Sequence, residues 1–172
     1  MKKMITYLLA AVGLLLLIWA VLVVVTPKLI YRTSIRIEKP AEAVFGFIDD
    51  YANAPRWLNG LTDVQVTGGT PGTKGSTARY TFVENGRTVI FDEEVLAVEP
   101  GKSIEFRLKS DDLILHTYLE VVADGNAAIL SMRNEVTPLS LVMRALNPFV
   151  KGMMRGRQEA DLMRLKEILE QG

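Results

Sequence analysis

The sequence predicts an α+β fold: a seven-stranded antiparallel sheet wrapped around a long C-terminal helix, preceded by one transmembrane helix. Three observations carry this. The stretch from Gly75 to Thr137 alternates apolar and polar residues between tight-turn signals. After Thr137-Pro138 the hydrophobic period changes from two to 3.6. Near the start, the run from Ile5 to Val25 contains no charge.

The run follows Met1-Lys2-Lys3 and has the length of about 20 residues that a helix needs to cross the hydrocarbon core. A signal peptide has a shorter apolar region of about 7–15 residues and a small-x-small cleavage site, and neither is found here. The reading is an uncleaved single-pass anchor over residues 1–28 and a folded domain over 29–172. Lys2 and Lys3 favour an N-terminus inside and a domain outside, which in a bacterium is the periplasm, although Lys28, Arg32 and Arg36 flank the other end.

Tyr31 to Glu38 alternates as a first strand, with Thr33, Ile35 and Ile37 on one side. Pro40 and Glu42 open a helix carrying Val44, Phe45, Phe47 and Ile48. Asp49 or Asp50 caps a second short helix through Leu58, which Asn59-Gly60 ends. Leu61 to Thr67 is the second strand, and a Gly-rich loop leads onward.

Four turns then set the sheet. Asn85-Gly86 suits a type I′ hairpin and pairs Glu84 with Arg87, Phe82 with Val89, Tyr80 with Phe91 and Ala78 with Glu93. Pro100-Gly101 suits a type II turn and pairs Ala97 with Ile104, Val95 with Phe106 and Glu93 with Leu108. Ser110-Asp111 pairs Leu108 with Leu113 and Phe106 with Leu115; Asp124-Gly125 pairs Val121 with Ala128, Leu119 with Leu130, Thr117 with Met132 and Leu115 with Asn134. Read independently, the turns agree on one apolar face and one charged face. Beyond Pro138 a short helix carries Leu139, Val142, Met143 and Leu146. Asn147-Pro148 then starts a longer one to about Glu170, with Phe149, Met153, Ala160, Met163 and Leu165 or Ile168 on its apolar side and Asp161 on its wet side. That helix is the natural cover for the apolar face.

Composition narrows function. Twenty Lys+Arg balance twenty Asp+Glu, so no basic field marks a nucleic-acid binder. Without Cys and with one His, the chain has no thiol nucleophile, no Cys-based zinc site and no His cluster, so no metal or cofactor is expected.

The arrangement resembles the helix-grip fold of the START-like (SRPBCC) superfamily, in its polyketide-cyclase/dehydrase and lipid-transport branch. The resemblance rests on Ser34 through Phe45, Asp50 through Trp57, Gly75 and Glu94 through Gly101, and it covers about Tyr31 to Glu170. It implies a cavity between sheet and helix that takes a hydrophobic small molecule, in a superfamily of carriers, sensors, cyclases and hydrolases.

On the apolar face the polar residues are Tyr80, Glu93, Thr117 and Asn134. Glu93 in a cavity is a candidate general base with a raised pKa; the simpler reading puts it at an open rim or turns it outward on a β-bulge. Tyr80, Thr117 and Asn134 read as ligand-orienting groups, or as partners for each other or for buried water. Trp57 closes one end of the cavity or anchors the core. Met132, Met153 and Met163 offer an adaptable lining or ordinary core filling. Phe82, Phe91, Phe106 and Phe149 either line the cavity or fill it. His116 falls on the wet face beside Arg133 and is set aside as a catalyst, and Arg79 opposite Asp92 reads as a surface pair.

Three functions fit. The first is a membrane-anchored binding or carrier domain for a lipid or other apolar molecule, favoured because no catalytic set is recognisable. The second is a cyclase, dehydratase or hydrolase using Glu93 with Tyr80. The third is an interaction module whose cavity is filled by its own side chains.

Overall fold

The computed structural model describes residues 2–25, 28–84 and 86–172; the side chains of residues 2, 4, 8, 16, 22–25, 141, 142, 145 and 147–149 lie outside the description. Helix α1 spans Lys2–Val25. Strand β1 (Leu29–Ile37) leads into α2 (Ala41–Asp49), a 3₁₀ turn (Tyr51–Asn53) and the short α3 (Ala54–Trp57). Six strands follow: β2 (Leu61–Gly68), β3 (Thr77–Glu84), β4 (Arg87–Glu99), β5 (Ser103–Lys109), β6 (Leu113–Asp124) and β7 (Ala127–Pro138). Helix α4 (Leu141–Gln171) ends the chain. The strands form one antiparallel sheet in the order β1-β7-β6-β5-β4-β3-β2, so every neighbour is a hairpin except β1, which returns to pair with β7.

The hairpin from β3 to β4 has the register that Asn85-Gly86 predicts, with Glu84 opposite Arg87 and Tyr80 opposite Phe91. Asn85 itself lies outside the described residues; Gly86 has φ 75°, as a type I′ turn requires. The other registers need correction. At Pro100-Gly101, Val95 does face Phe106, but a bulge at Leu96 puts Val98, not Ala97, opposite Ile104. The inserted residue lets both Val95 and Val98 reach the inner side. The next hairpin turns at Asp111-Asp112 rather than Ser110-Asp111, with the Ser110 N–H bonded to the Leu113 carbonyl, so Leu108 faces Leu115 and Phe106 faces Thr117. The last hairpin turns at Gly125-Asn126, with Asp124 opposite Ala127; Thr117 faces Asn134 and Leu119 faces Met132. Gly125, with φ 64°, takes the left-handed turn position. The last two registers slip from expectation by two residues in sum, which preserves which residue faces which side.

Edge strand β2 is irregular. Its pairing with β3 shifts between Leu61 and Asp63 and again between Val66 and Gly68.

Helix α4 is one element, not two. The Ser140 side chain accepts a hydrogen bond from the Met143 N–H and caps the helix there, so Asn147-Pro148 is interior rather than a start. Its buried stripe also differs from expectation. Val150, Asp161, Leu162 and Leu165 are buried, while Met163 and Ala160 are exposed. Asp161 leaves the wet side because the backbone N–H of Asn59 donates to its Oδ1 at 3.0 Å.

The main core lies between one end of the sheet, α2 and the C-terminal half of α4: Ile37, Val44, Leu130, Leu162 and Leu165 are fully buried. Along α1 the described apolar side chains, among them Leu9, Leu15 and Leu17, are exposed. Among the described residues no helix is long and apolar enough to cross a membrane. The transmembrane helix expected over Ile5 to Val25 is therefore not borne out; several side chains of that run lie outside the described residues.

Candidate functional site

The other end of the sheet is not filled. Between the concave face, the 3₁₀ turn, α3 and the N-terminal half of α4 lies a cavity of about 500 Å³. Most of its wall is apolar, supplied by inward residues of β3 to β7 such as Phe106, Leu108, Leu115 and Leu119. Two clusters of polar groups interrupt it.

The first is built on Glu93. This residue is only 5 % exposed, on β4 within the cavity wall. The rim or bulge position favoured from the sequence is wrong, because the bulge falls three residues further on, at Leu96. The Tyr51 hydroxyl, delivered by the 3₁₀ turn that Asp50 caps, donates to Glu93 Oε1 at 2.6 Å. Tyr80 on β3 lies beside this carboxyl and, with Tyr51, favours its charged form. The two phenol rings meet edge to face with centroids 6.1 Å apart. Burial pushes the Glu93 carboxyl above its ordinary value, against the lowering effect of the two tyrosines. Both tyrosines are raised, first by their own burial and then by the Glu93 charge.

The second cluster joins sheet to helix. The Thr117 hydroxyl donates to Asn134 Oδ1 at 2.7 Å, and Asn134 Nδ2 donates to Gln158 Oε1 at 2.8 Å. The Thr33 hydroxyl donates to the same Gln158 oxygen at 2.8 Å. Among the described residues Gln158 Nε2 reaches only the Met132 thioether, at 3.3 Å. Nearby Tyr31 is pushed up to about 12 by burial, partly offset by Arg157.

At the mouth, Arg157 ties α4 to the domain. It pairs with Glu84, donates to the Asn59 carbonyl at 2.6 Å and lies 5.6 Å from the Phe82 ring centroid. Asp161 next to it is raised by burial, against the Asn59 N–H and the Arg157 charge.

Trp57, Tyr80, Phe82, Phe91, Glu93, Phe106, Thr117, Met132, Asn134 and Met153 all line the cavity. They do not line it alike. Met153 is 69 % exposed and sits at the rim. Trp57 belongs to the core cluster as well, and its indole Nε1 is buried without a hydrogen-bond partner among the described residues. The side chain of Phe149 lies outside the described residues. His116 is on the opposite face against Glu105 at 2.8 Å, and Arg79 pairs with Asp92 at 2.8 Å across β3 and β4.

Sequence reasoning missed Tyr51 and Gln158. Gln158 falls four residues after Met154 and four before Leu162, on the buried stripe, and a correct helix phase would have found it. Tyr51 is brought in by a long-range contact that periodicity does not encode. Among the described residues no group of three His, Asp or Glu is placed to hold a metal ion. The chemistry available is hydrogen bonding, proton exchange at Glu93 and apolar enclosure.

An antiparallel sheet curled around a C-terminal helix over an apolar cavity defines a helix-grip, START-like domain. The chain belongs to the polyketide cyclase / dehydrase and lipid transport family, whose model matches residues 28–170. No curated protein matches it. Solved structures with the same fold include a START superfamily protein from Mycobacterium smegmatis, at a TM-score of 0.71 and 17% identity, covering 83% of this chain and 97% of that one. The Zhui aromatase/cyclase from Streptomyces sp. R1128 matches at a TM-score of 0.70 and 11% identity, over 83% of this chain and 94% of that one. A protein from Thermus thermophilus matches at 0.70 and 17%, over 82% and 97%.

Proposed function

We propose that this chain is a binding or carrier domain for a hydrophobic small molecule or lipid, held between the sheet and α4. The observation that carries this reading is the 500 Å³ cavity, apolar over most of its wall and furnished with a few placed polar groups. Family membership agrees with it, since lipid transport is part of the family's description. The filled-cavity alternative has no support in a space of this size.

The reading includes an anchor. The charge-free run from Ile5 to Val25 would hold residues 29–172 at a membrane, beside a source of apolar ligand, with the domain on the extracytoplasmic side. The uncovered apolar side chains of α1 support it. The chain has no Cys, so a single cysteine at Ser110 labelled in intact cells by a membrane-impermeant maleimide tests the side.

The ligand test uses the full-length chain, extracted with organic solvent and analysed by mass spectrometry beside Leu108→Trp, which fills the cavity. A stoichiometric apolar molecule present only in the unsubstituted chain supports the carrier; identical extracts refute it.

A second reading, an aromatase or cyclase, draws on the buried Glu93 with its two tyrosines and on the family's other named activity. Its proton-transferring group would be Glu93. Turnover of a polyketide-like substrate that survives Glu93→Gln unchanged removes it.

A further inference from the structure

The two polar clusters have different hydrogen-bonding characters. In the Thr117, Asn134 and Gln158 cluster, the Gln158 carbonyl is saturated by Asn134 and Thr33, and its amide is left with a thioether. Reversing the amide would set its oxygen lone pairs against the Met132 sulfur, so the orientation is fixed by its neighbours. A thioether is a weak acceptor, and the amide has two hydrogens. This end of the cavity therefore presents a donor that lacks a strong partner. The Glu93 end presents a carboxyl held by the Tyr51 phenol and flanked by that of Tyr80, and a hydroxyl group satisfies it in either protonation state: as donor to the carboxylate, or as acceptor from the acid.

The register fixes how far apart the ends are. Glu93 is two strands from Thr117, since Phe106 stands opposite both Val95 and Thr117, and Val95 is two residues beyond Glu93. With strands about 4.8 Å apart and about 3.4 Å per residue, the separation along the sheet is about 12 Å to Thr117 and about 16 Å to Asn134, the β7 residue opposite it that bonds Gln158. The wall between is apolar, formed by Phe106, Leu108 and Leu115.

Resting on the binding reading above, we infer that the cavity takes a two-ended ligand: an apolar body with a hydroxyl at the Glu93 end and an oxygen acceptor, carbonyl or hydroxyl, at the Gln158 end. Single-headed amphiphiles with an apolar tail satisfy one end and strand the other. The two ends thus set both the length and the chemistry of what is held.

The test compares two probes, decanol and the decanediol with a hydroxyl at each end, titrated calorimetrically into the full chain in amphipol. Binding counts as cavity binding where Leu108→Trp loses it. The diol is expected to bind at least as tightly as decanol, although it buries an extra polar group. Glu93→Met and Gln158→Met are each expected to weaken the diol about tenfold and decanol less than about threefold, because decanol can turn to the remaining end. Glu93→Gln keeps a polar end and should keep the diol preference. If decanol binds the cavity and the diol binds tenfold worse, or if both variants weaken the two probes equally, the two-ended ligand is refuted while the carrier reading stands. If neither probe binds beyond the Leu108→Trp level, both fall.

Discussion

The two ends of the space between sheet and α4 are built from the same strands and the same helix, yet one is solid and the other hollow. At the closed end α2 lies against β6 and β7, and Val44, Phe45, Leu162 and Leu165 share one buried cluster with Ile37, Ala128 and Leu130. At the open end the cover is the N-terminal half of α4 with the 3₁₀ turn, and its inward residues are Met143, Val150, Met154 and Gln158. The hollow comes from an absent layer rather than from small side chains. Close packing is the rule in protein interiors, so a space of this size is a built feature.

Removing side chains at each end tests that contrast. Leu165→Ala, at a position with 0 % exposure, should cost about 2–5 kcal/mol, whereas Leu108→Ala on the cavity wall should cost less than half of that, since part of its surface already borders empty space. Urea unfolding measures both, and equal costs would mean that the open end is packed in solution. Next in size, Gln158→Met leaves the Thr33 hydroxyl and the Asn134 amide without their acceptor and should cost about 1–3 kcal/mol. Thr33→Val combined with it should cost less than the sum of the two single changes, because the pair shares one bond.

The Glu93 prediction concerns a slope. Burial raises its pKa above the ordinary 4.5, so the folded chain holds a proton that the unfolded chain releases first. Stability is then greatest below the ordinary value and falls as pH rises through the raised one. Glu93→Gln should flatten that fall, and unfolding midpoints measured across this interval would show it. Smallest of all, His116→Gln on the solvated face should change neither stability nor ligand binding, because its partner Glu105 remains in contact with water.

Much of this contrast was legible in the chain. The lining residues from Tyr80 to Asn134 follow from strand parity, and parity survived the errors at Ser110-Asp111 and Asp124-Gly125 because each displaced the register by two in sum. The fate of Glu93 was harder. Its place on the apolar face was clear, but a charged side chain there argues for escape, and only the phenols of Tyr51 and Tyr80 explain why it stays. Helix phase in α4 was misread because Met153, Ala160 and Met163 imitate an apolar stripe while the true one includes Gln158 and Asp161. Propensity cannot distinguish a polar residue that has found a buried partner from one that faces solvent.

The irregular β2 edge has a consequence for assembly. A seven-stranded open sheet leaves a border of unpaired amide groups, and such a border templates the addition of strands from other molecules. Two register shifts within one short strand, with Asp63 placed at the first, break the repeat that an incoming strand would have to match. The domain can thus keep a large apolar concavity open without offering its β2 flank as a seed for fibrils.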